Sequence, residues 1–165
     1  MSKGYETSDN ADNAAFIRRW FEEVWNKGRE EAIDEMFAED GVAHGLGDEP
    51  GQDIRGAAEF KPFFRSFRGA FPDIEVVVED TISEGDRVAA RCSVRAKHSG
   101  HTLGFAATER PVEFHGITIV RVRDGKIVEA WNNFDFMSMF RQLGALRLDA
   151  PAAEPPSDEA LPSID

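Results

Sequence analysis

The feature that most constrains the fold is a pair of long alternating segments joined by a two-residue turn signal. Residues 112–123 and 126–133 alternate apolar and polar side chains, and Asp124-Gly125 lies between them. An Asp-Gly pair between two such segments is typical of a tight β-hairpin. Alternation also marks residues 74–79 and 87–95 as strands. The second half of the chain therefore predicts an antiparallel meander, with an irregular polar stretch before its last hairpin.

The first half of the chain has helical periodicity instead, with apolar residues three and four positions apart. The predicted helices run from Asp12 or Asn13 to about Trp25, from about Ala32 through Phe37 to Asp40-Gly41, from about Ala57 to Ala70, and over 136–143. The glycine-rich residues 41–55 predict a loop with a short strand near Val42–His44. Helices grouped on one face of an antiparallel sheet give an α+β class. We expect three N-terminal helices packed in a strongly curved antiparallel sheet that forms a cone with a central pocket, followed by a short C-terminal helix.

Length and charge set the domain organisation and the partners. A chain of 165 residues has the length of one domain. We expect a loose N-terminus over 1–11, a single domain over 12–148 and a disordered acidic tail over 149–165, rich in Pro and Ala. With 19 Lys and Arg against 31 Asp and Glu, the net charge is −12. A field of this sign repels phosphate, so no nucleic-acid or anionic-membrane partner is expected.

Neither a signal peptide nor a membrane span is predicted, because the N-terminus is polar and no apolar stretch approaches about 18 residues. The expected location is therefore cytoplasmic. The single cysteine, Cys92, excludes an intramolecular disulfide and a Cys-based zinc site. Its alternation with Val88, Ala90 and Val94 indicates an inert packed thiol.

Several short motifs occur in a fixed order over residues 13–146. They are WNKG (25–28), RGAFPD (68–73), EGDRVAAR (84–91), HSG (98–100), RVRDGKIVEAW (121–131) and QLG (142–144). Together they resemble the SnoaL-like polyketide cyclase family, within the nuclear-transport-factor-like and ketosteroid-isomerase-like superfamily of α+β cones. The resemblance implies an enzyme with no metal and no organic cofactor. Such an enzyme closes a ring by an intramolecular aldol step, in which a carboxylate removes a proton beside a carbonyl.

One position departs from the pattern of that family. The family carboxylate follows a Trp-like position on the last strand, and here Asn132 follows Trp131. An amide cannot act as the base, but it can donate an N–H to a carbonyl or enolate oxygen. Alternation places Asn132 on the same face as Val128, Ala130 and Phe134. The resemblance implies that this face lines the pocket, whereas the alternative is a strand-end amide bonded to backbone.

Two other residues are candidates to handle the proton. His44 follows the second helix, close to where the isomerase branch has a catalytic acid, and an imidazole titrates near pH 6.5. The alternative is an exposed loop histidine. Asp135 opens the terminal helix, where it is either a carboxylate at the pocket mouth or a helix N-cap. Asn132, His44 and Asp135 are the predicted catalytic residues.

The predicted pocket wall is aromatic and suits a planar, mostly apolar ligand. Its members are Trp25, implied by the resemblance, and Phe63, Phe64, Phe67, Phe114, Thr118 and Phe134. His98 is expected to be structural or to line the rim, since His98 and His101 lie on a non-helical segment without further metal ligands. His115 and Glu129 alternate away from the pocket, so the outer face of the sheet is expected for both.

The leading hypothesis is thus a cofactor-independent acid–base cyclase or isomerase acting on a hydrophobic carbonyl compound. One alternative is a non-catalytic module that binds small molecules, favoured by the amide at Asn132. Another is a hydrolase or hydroxylase variant of the same fold. The mixed apolar and charged outer face of the sheet, with Ile117 and Ile119, predicts a homodimer or higher homo-oligomer.

Overall fold

The structure is a computed structural model that describes residues 6–146. The helices are α1 (Glu6–Trp20), continued by a π-helical segment (Phe21–Asn26), then α2 (Glu31–Met36), α3 (Gly56–Ala70) and α4 (Phe136–Gln142). The strands are β1 (Phe37–His44), β2 (Ile54–Arg55), β3 (Glu75–Glu84), β4 (Arg87–Lys97), β5 (Pro111–Arg123) and β6 (Lys126–Phe134). The predicted α+β class, with helices first and a meander after them, is confirmed.

The first helix begins earlier than the sequence predicts. It starts at Glu6, ahead of the predicted cap at Asp12 or Asn13, so helix extends into the segment expected to be loose. The predicted acidic tail over 149–165 lies outside the described residues. Within residues 6–146, no helix is both long and apolar enough to cross a membrane.

All six strands form a single sheet in the order β2-β1-β6-β5-β4-β3. The meander from β3 to β6 is antiparallel throughout, as predicted. The prediction of a wholly antiparallel sheet is wrong at one pair, because β1 runs parallel to β6. The cause is the chain order: α3 and the whole meander separate the two strands, so β6 returns alongside β1 in the same direction.

The boundary between α2 and β1 also differs from the prediction. Phe37, predicted on the second helix, adopts extended backbone with φ −114° and ψ 127° and begins β1. Its ring stacks on Phe60 of α3 with centroids 5.3 Å apart. Residues 32–37 have helical spacing, but Phe37 is buried in the extended conformation that the structure shows. Packing against α3 therefore decides the conformation.

A β-bulge changes which side chains of β6 face inward. Arg121 pairs with Glu129, whereas Val122 pairs with Ile127, so one extra residue is inserted on β6. Ile127 and Ala130 consequently both line the interior. The prediction that Val128 shares the face of Asn132 is wrong for this reason, while Ala130 and Phe134 do share it.

The π-helical segment is tied to the edge strand of the sheet. The side-chain amide of Asn26 donates to the Val76 carbonyl at 3.0 Å and accepts from the Val76 N–H at 2.7 Å. These two bonds satisfy backbone groups that an edge strand leaves free. Trp25 precedes Asn26, so the same contact fixes an aromatic side chain over the interior of the sheet.

Candidate active site

The interior cavity lies between the helices and the inner face of the sheet. Its aromatic wall comes from Trp20 of α1, Phe21 and Trp25 of the π-helical segment, and Phe60, Phe63 and Phe67 of α3. Trp25 meets Phe63 and Phe67 edge to face, with centroids 6.1 and 5.9 Å apart. The sheet contributes mostly aliphatic side chains. Such a wall favours a planar apolar ligand.

Besides the indole groups of Trp20 and Trp25, the polar side chains that line the interior cavity among the described residues are Thr118 of β5 and Asn132 of β6. They pair across the two strands, and the Thr118 hydroxyl donates to Asn132 Oδ1 at 2.9 Å. Asn132 Nδ2 donates to the backbone carbonyl of His44 at 3.0 Å. Since one donor and one acceptor partner are both fixed, the orientation of the amide is fixed. The second N–H of Asn132 remains available for a ligand oxygen.

Most of the predicted pocket residues are found in the wall. Those that line the interior cavity are Trp25, Phe63, Phe67, Phe114, Thr118 and Phe134. Phe64 is the exception. It is buried and packs against Trp25, with ring centroids 5.6 Å apart, but it does not line the cavity. On a helix with 3.6 residues per turn, Phe64 lies at the margin of the stripe formed by Phe60, Phe63 and Phe67.

A glycine on β5 makes room for one aromatic wall residue. A Cβ at Gly116 would lie 2.2 Å from the Phe134 ring, so the ring occupies the space of a side chain. Phe134 in turn stacks on Phe136, with centroids 6.2 Å apart. Gly116 thus contributes space to the inner face rather than contact.

A wider groove continues from the interior cavity towards solvent. Its free volume is about 440 Å³, against about 70 Å³ for the interior. Leu46, Phe63, Phe67 and Phe136 line both spaces. The groove also contains Asp48 and Ser66 among its described lining residues. Sequence reasoning missed Leu46, Asp48 and Phe136, because periodicity carries no information on which loop residues reach a cavity.

His44 does not face the cavity. Its neighbour Ala43 lines the interior, so the His44 side chain points to the outer face of the sheet. There Nδ1 lies 2.8 Å from Asp53 Oδ1, and Nε2 lies 3.0 Å from Glu129 Oε1. These hydrogen bonds, to Glu129 first and to Asp53 second, raise the pKa of His44. The imidazole is therefore not placed to take a proton from a ligand in the cavity.

Asp135 is also outside the cavity. Its carboxylate caps α4 by accepting the Ser138 N–H at 2.9 Å, which is the alternative that the sequence left open. The prediction that Asp135 acts at the mouth has no support from its position, since it lines neither the interior nor the groove.

The other histidines lie away from the cavity wall. His98 is fully buried between Phe71 and Phe105, where its Nδ1 accepts the Thr108 N–H at 3.1 Å. Burial lowers the pKa of His98, which favours the neutral ring that this bond requires. His115 is exposed on the outer face, as alternation predicts. Glu129 also faces outward, where its Oε2 accepts from Arg121 at 2.9 Å.

Comparisons with known proteins agree with this arrangement of helices and sheet. Aklanonic acid methyl ester cyclase DauD from Streptomyces sp. strain C5 is 27% identical over 129 residues, which cover 78% of this chain and 79% of that protein. The crystal structure of IdmH from Streptomyces antibioticus, a candidate polyketide cyclase, is 35% identical with a TM-score of 0.68 over 82% of this chain and 98% of that one.

AclR from Streptomyces galilaeus, a candidate hydroxylase, is 27% identical with a TM-score of 0.72. That match covers 84% of this chain and 99% of AclR. The family described as SnoaL-like polyketide cyclase matches residues 15–143, which include every strand and the whole cavity wall. The chain therefore belongs to the SnoaL-like polyketide cyclase family.

Proposed function

We propose that the protein closes a ring in an elongated, mostly apolar carbonyl compound of polyketide type, without a protein base. The observation that carries this proposal is the chemistry of the interior wall. Its described residues present the Asn132 amide, the Thr118 hydroxyl and the indole groups of Trp20 and Trp25 among apolar side chains, and none of them bears a carboxylate or an imidazole. The family and the likeness to DauD support a cyclase activity.

The shape of the site suits a ligand that enters end first. The carbonyl end fits the narrow interior beside Asn132, and the longer body lies in the outer groove. Gly45 lines that groove and packs directly on the Asn132 backbone, so the amide lies close to where the two spaces meet. Aromatic contacts along the body hold the two reacting carbons together, which supplies the positioning part of catalysis.

The reaction can proceed from the enol form of a 1,3-dicarbonyl substrate. The enol carbon attacks the second carbonyl carbon, one carbon–carbon bond forms, and the C=O π bond becomes an alkoxide. The enol proton passes through solvent to that alkoxide, so the product is an isomer of the substrate. The free N–H of Asn132 stabilises the negative charge that develops on the attacked oxygen.

The test is ring closure of aklanonic acid methyl ester, followed by chromatography at constant mass. We expect the ratio of the catalysed to the uncatalysed rate not to fall from about pH 7.5 down to about pH 3.5, a range that spans the ordinary pKa values of imidazole and carboxylate bases. Asp135→Asn keeps the helix cap and should leave turnover unchanged. A fall of the ratio towards acid pH would contradict the proposal. If that fall were absent in Asp48→Asn, the base would be Asp48.

The second candidate is the non-catalytic module, which the same lack of a titratable wall residue favours. It predicts that the ester binds in the cavity and is recovered unchanged at every pH. A product heavier by one oxygen atom would instead support the hydroxylase alternative suggested by the likeness to AclR.

We further propose that the protein assembles through the outer face of its sheet. Val77, Ile117 and Ile119 are exposed there by 44%, 49% and 40%. Val77 lies on β3 and both isoleucines lie on β5, with β4 between them, in an otherwise polar and charged surface that can pair with itself about a two-fold axis. Light scattering at micromolar concentration should give twice the chain mass or more, and a monomer mass would contradict this.

A further inference from the structure

A polar cluster on the outer face of the sheet lies directly behind Asn132. We call the side chains of His44, Asp53, Glu129, Arg121 and Trp131 the His44 cluster. The imidazole lies between two carboxylates and stacks on Trp131 with centroids 5.7 Å apart. Arg121 donates to Glu129 and lies over the other part of the Trp131 ring, 5.5 Å from its centroid.

The His44 cluster holds the end of a strand. His44 is the last residue of β1 and pairs with Trp131 of β6, and the chain then turns at Gly45 with φ +80°. Asp53 lies at the far end of the loop that follows, so its bond to His44 closes that loop on the sheet. Contacts of the His44 side chain therefore fix the strand end from outside.

The same residue meets Asn132 from the inside. The His44 carbonyl accepts the N–H that fixes the Asn132 amide, and Gly45 packs against the Asn132 carbonyl oxygen. The side chain and the backbone of one residue thus join the His44 cluster to the polar group of the cavity. A shift of the strand end away from Asn132 would lengthen this bond and weaken one of the two contacts that fix the amide.

We propose that His44 is a positioning residue, whose protonated side chain orients the Asn132 amide through the His44 carbonyl. The effect on a ligand rests on the proposed function, whereas the effect on the amide does not. Both ring nitrogens face carboxylates, so only the imidazolium can donate to both. Neutral His44 has a single N–H, and one of Asp53 and Glu129 then loses its bond.

The pH dependence follows from the groups around the ring. Asp53 and Glu129 face it directly, Arg121 acts through Glu129, and Arg55 lies 3.7 Å from Asp53. The pKa of His44 is raised, so its stabilising effect is complete below the ordinary value of about 6.5. The effect is lost as the pH rises through the raised pKa. Orientation of Asn132 should therefore be firm in mild acid and loosen in mild base.

The first experiment follows the Asn132 side-chain amide by ¹⁵N NMR in the full chain, with its signals identified by their loss in Asn132→Ala. We expect these signals to titrate with an apparent pKa above about 6.5 in the wild type and not in His44→Gln. His115→Gln, which removes an exposed histidine on the same sheet face, should keep the titration. Glu129→Gln should lower the apparent pKa at which the Asn132 signals titrate. A missing titration in the wild type, or one that persists in His44→Gln, would overturn the proposal.

The second experiment measures the effect on a ligand with two matched probes. 2-Acetylnaphthalene carries a carbonyl, and 2-isopropylnaphthalene has the same shape without it. At about pH 6, His44→Gln should weaken binding of the ketone about fivefold, which is the size of one neutral hydrogen bond, and leave the hydrocarbon unchanged. Equal weakening of both probes would overturn the positioning role. A wild type with no preference for the ketone would instead count against the proposed function, while the NMR titration still decides the role of His44.

Discussion

Replacing Asn132 with alanine is expected to slow ring closure on the order of 100-fold, because a single donor to a developing oxyanion contributes about that much. The Asn132 amide presents a free N–H beside the ligand space. The loss should appear mainly in kcat, since the attacked oxygen carries full negative charge only after bond formation. Steady-state kinetics with aklanonic acid methyl ester measures this.

The matched control is the next residue along the strand. Asn133 is exposed on the outer face and pairs with Ile117, so Asn133→Ala changes the same chemical group without touching the cavity. Turnover of that variant should match the wild type. Asn132→Ala also leaves the Thr118 hydroxyl and the His44 carbonyl without a partner, so circular dichroism must show that the variant is folded. A folded Asn132→Ala with unchanged kcat would rule out the proposed role.

A substitution at Gly45 is expected to be far more damaging than the same substitution at Gly51. Both glycines have φ +80°, a conformation that costs an alanine about 1–2 kcal/mol. A Cβ at Gly45 would lie 2.2 Å from the Asn132 carbonyl oxygen, whereas at Gly51 nothing lies within 4 Å. Gly51→Ala should therefore lower the free energy of unfolding only by this conformational cost. Gly45→Ala must also displace β1 from β6, so its free energy of unfolding should fall by about 3 kcal/mol or more in total.

Urea unfolding of the two variants separates these effects, because φ is +80° at both positions and its cost largely cancels in the difference. We expect Gly45→Ala also to lose affinity for 2-acetylnaphthalene, since the displaced strand end carries the carbonyl that orients Asn132. Equal destabilisation of the two variants would mean that the contact between Gly45 and Asn132 is unimportant for the fold.

Alternation was enough to predict the meander and to place Asn132 with Phe134 on one face, and the family resemblance implied that this face is the inner one. These strands form local hairpins, in which paired residues point to the same face, so the alternation of one strand fixes that of the next. The same reasoning failed at Val128, because a one-residue bulge has no signature in the pattern of apolar residues. Reasoning from periodicity also failed at Phe37, because the helical spacing of apolar residues continues to Phe37 whereas the helix ends at Met36.

The role of His44 could not be predicted because its partners are remote in sequence. Glu129 lies 85 positions away on a strand that runs parallel to β1, and no local pattern predicts that pairing. The predicted short strand at Val42–His44 also left open which face His44 occupies. Once β1 is fixed by Phe37 and Ala43 pointing inward, the outward position of His44 follows from alternation.

The most direct test of the proposed site is the infrared carbonyl frequency of bound 2-acetylnaphthalene, labelled with ¹³C at the carbonyl carbon. If the free N–H of Asn132 donates to that oxygen, the C=O stretch in the wild-type complex lies below its value in an alkane solvent, because a hydrogen bond weakens the double bond. In Asn132→Ala the frequency should return to the alkane value while the probe remains bound. The same frequency in both complexes would contradict a polarising role for Asn132.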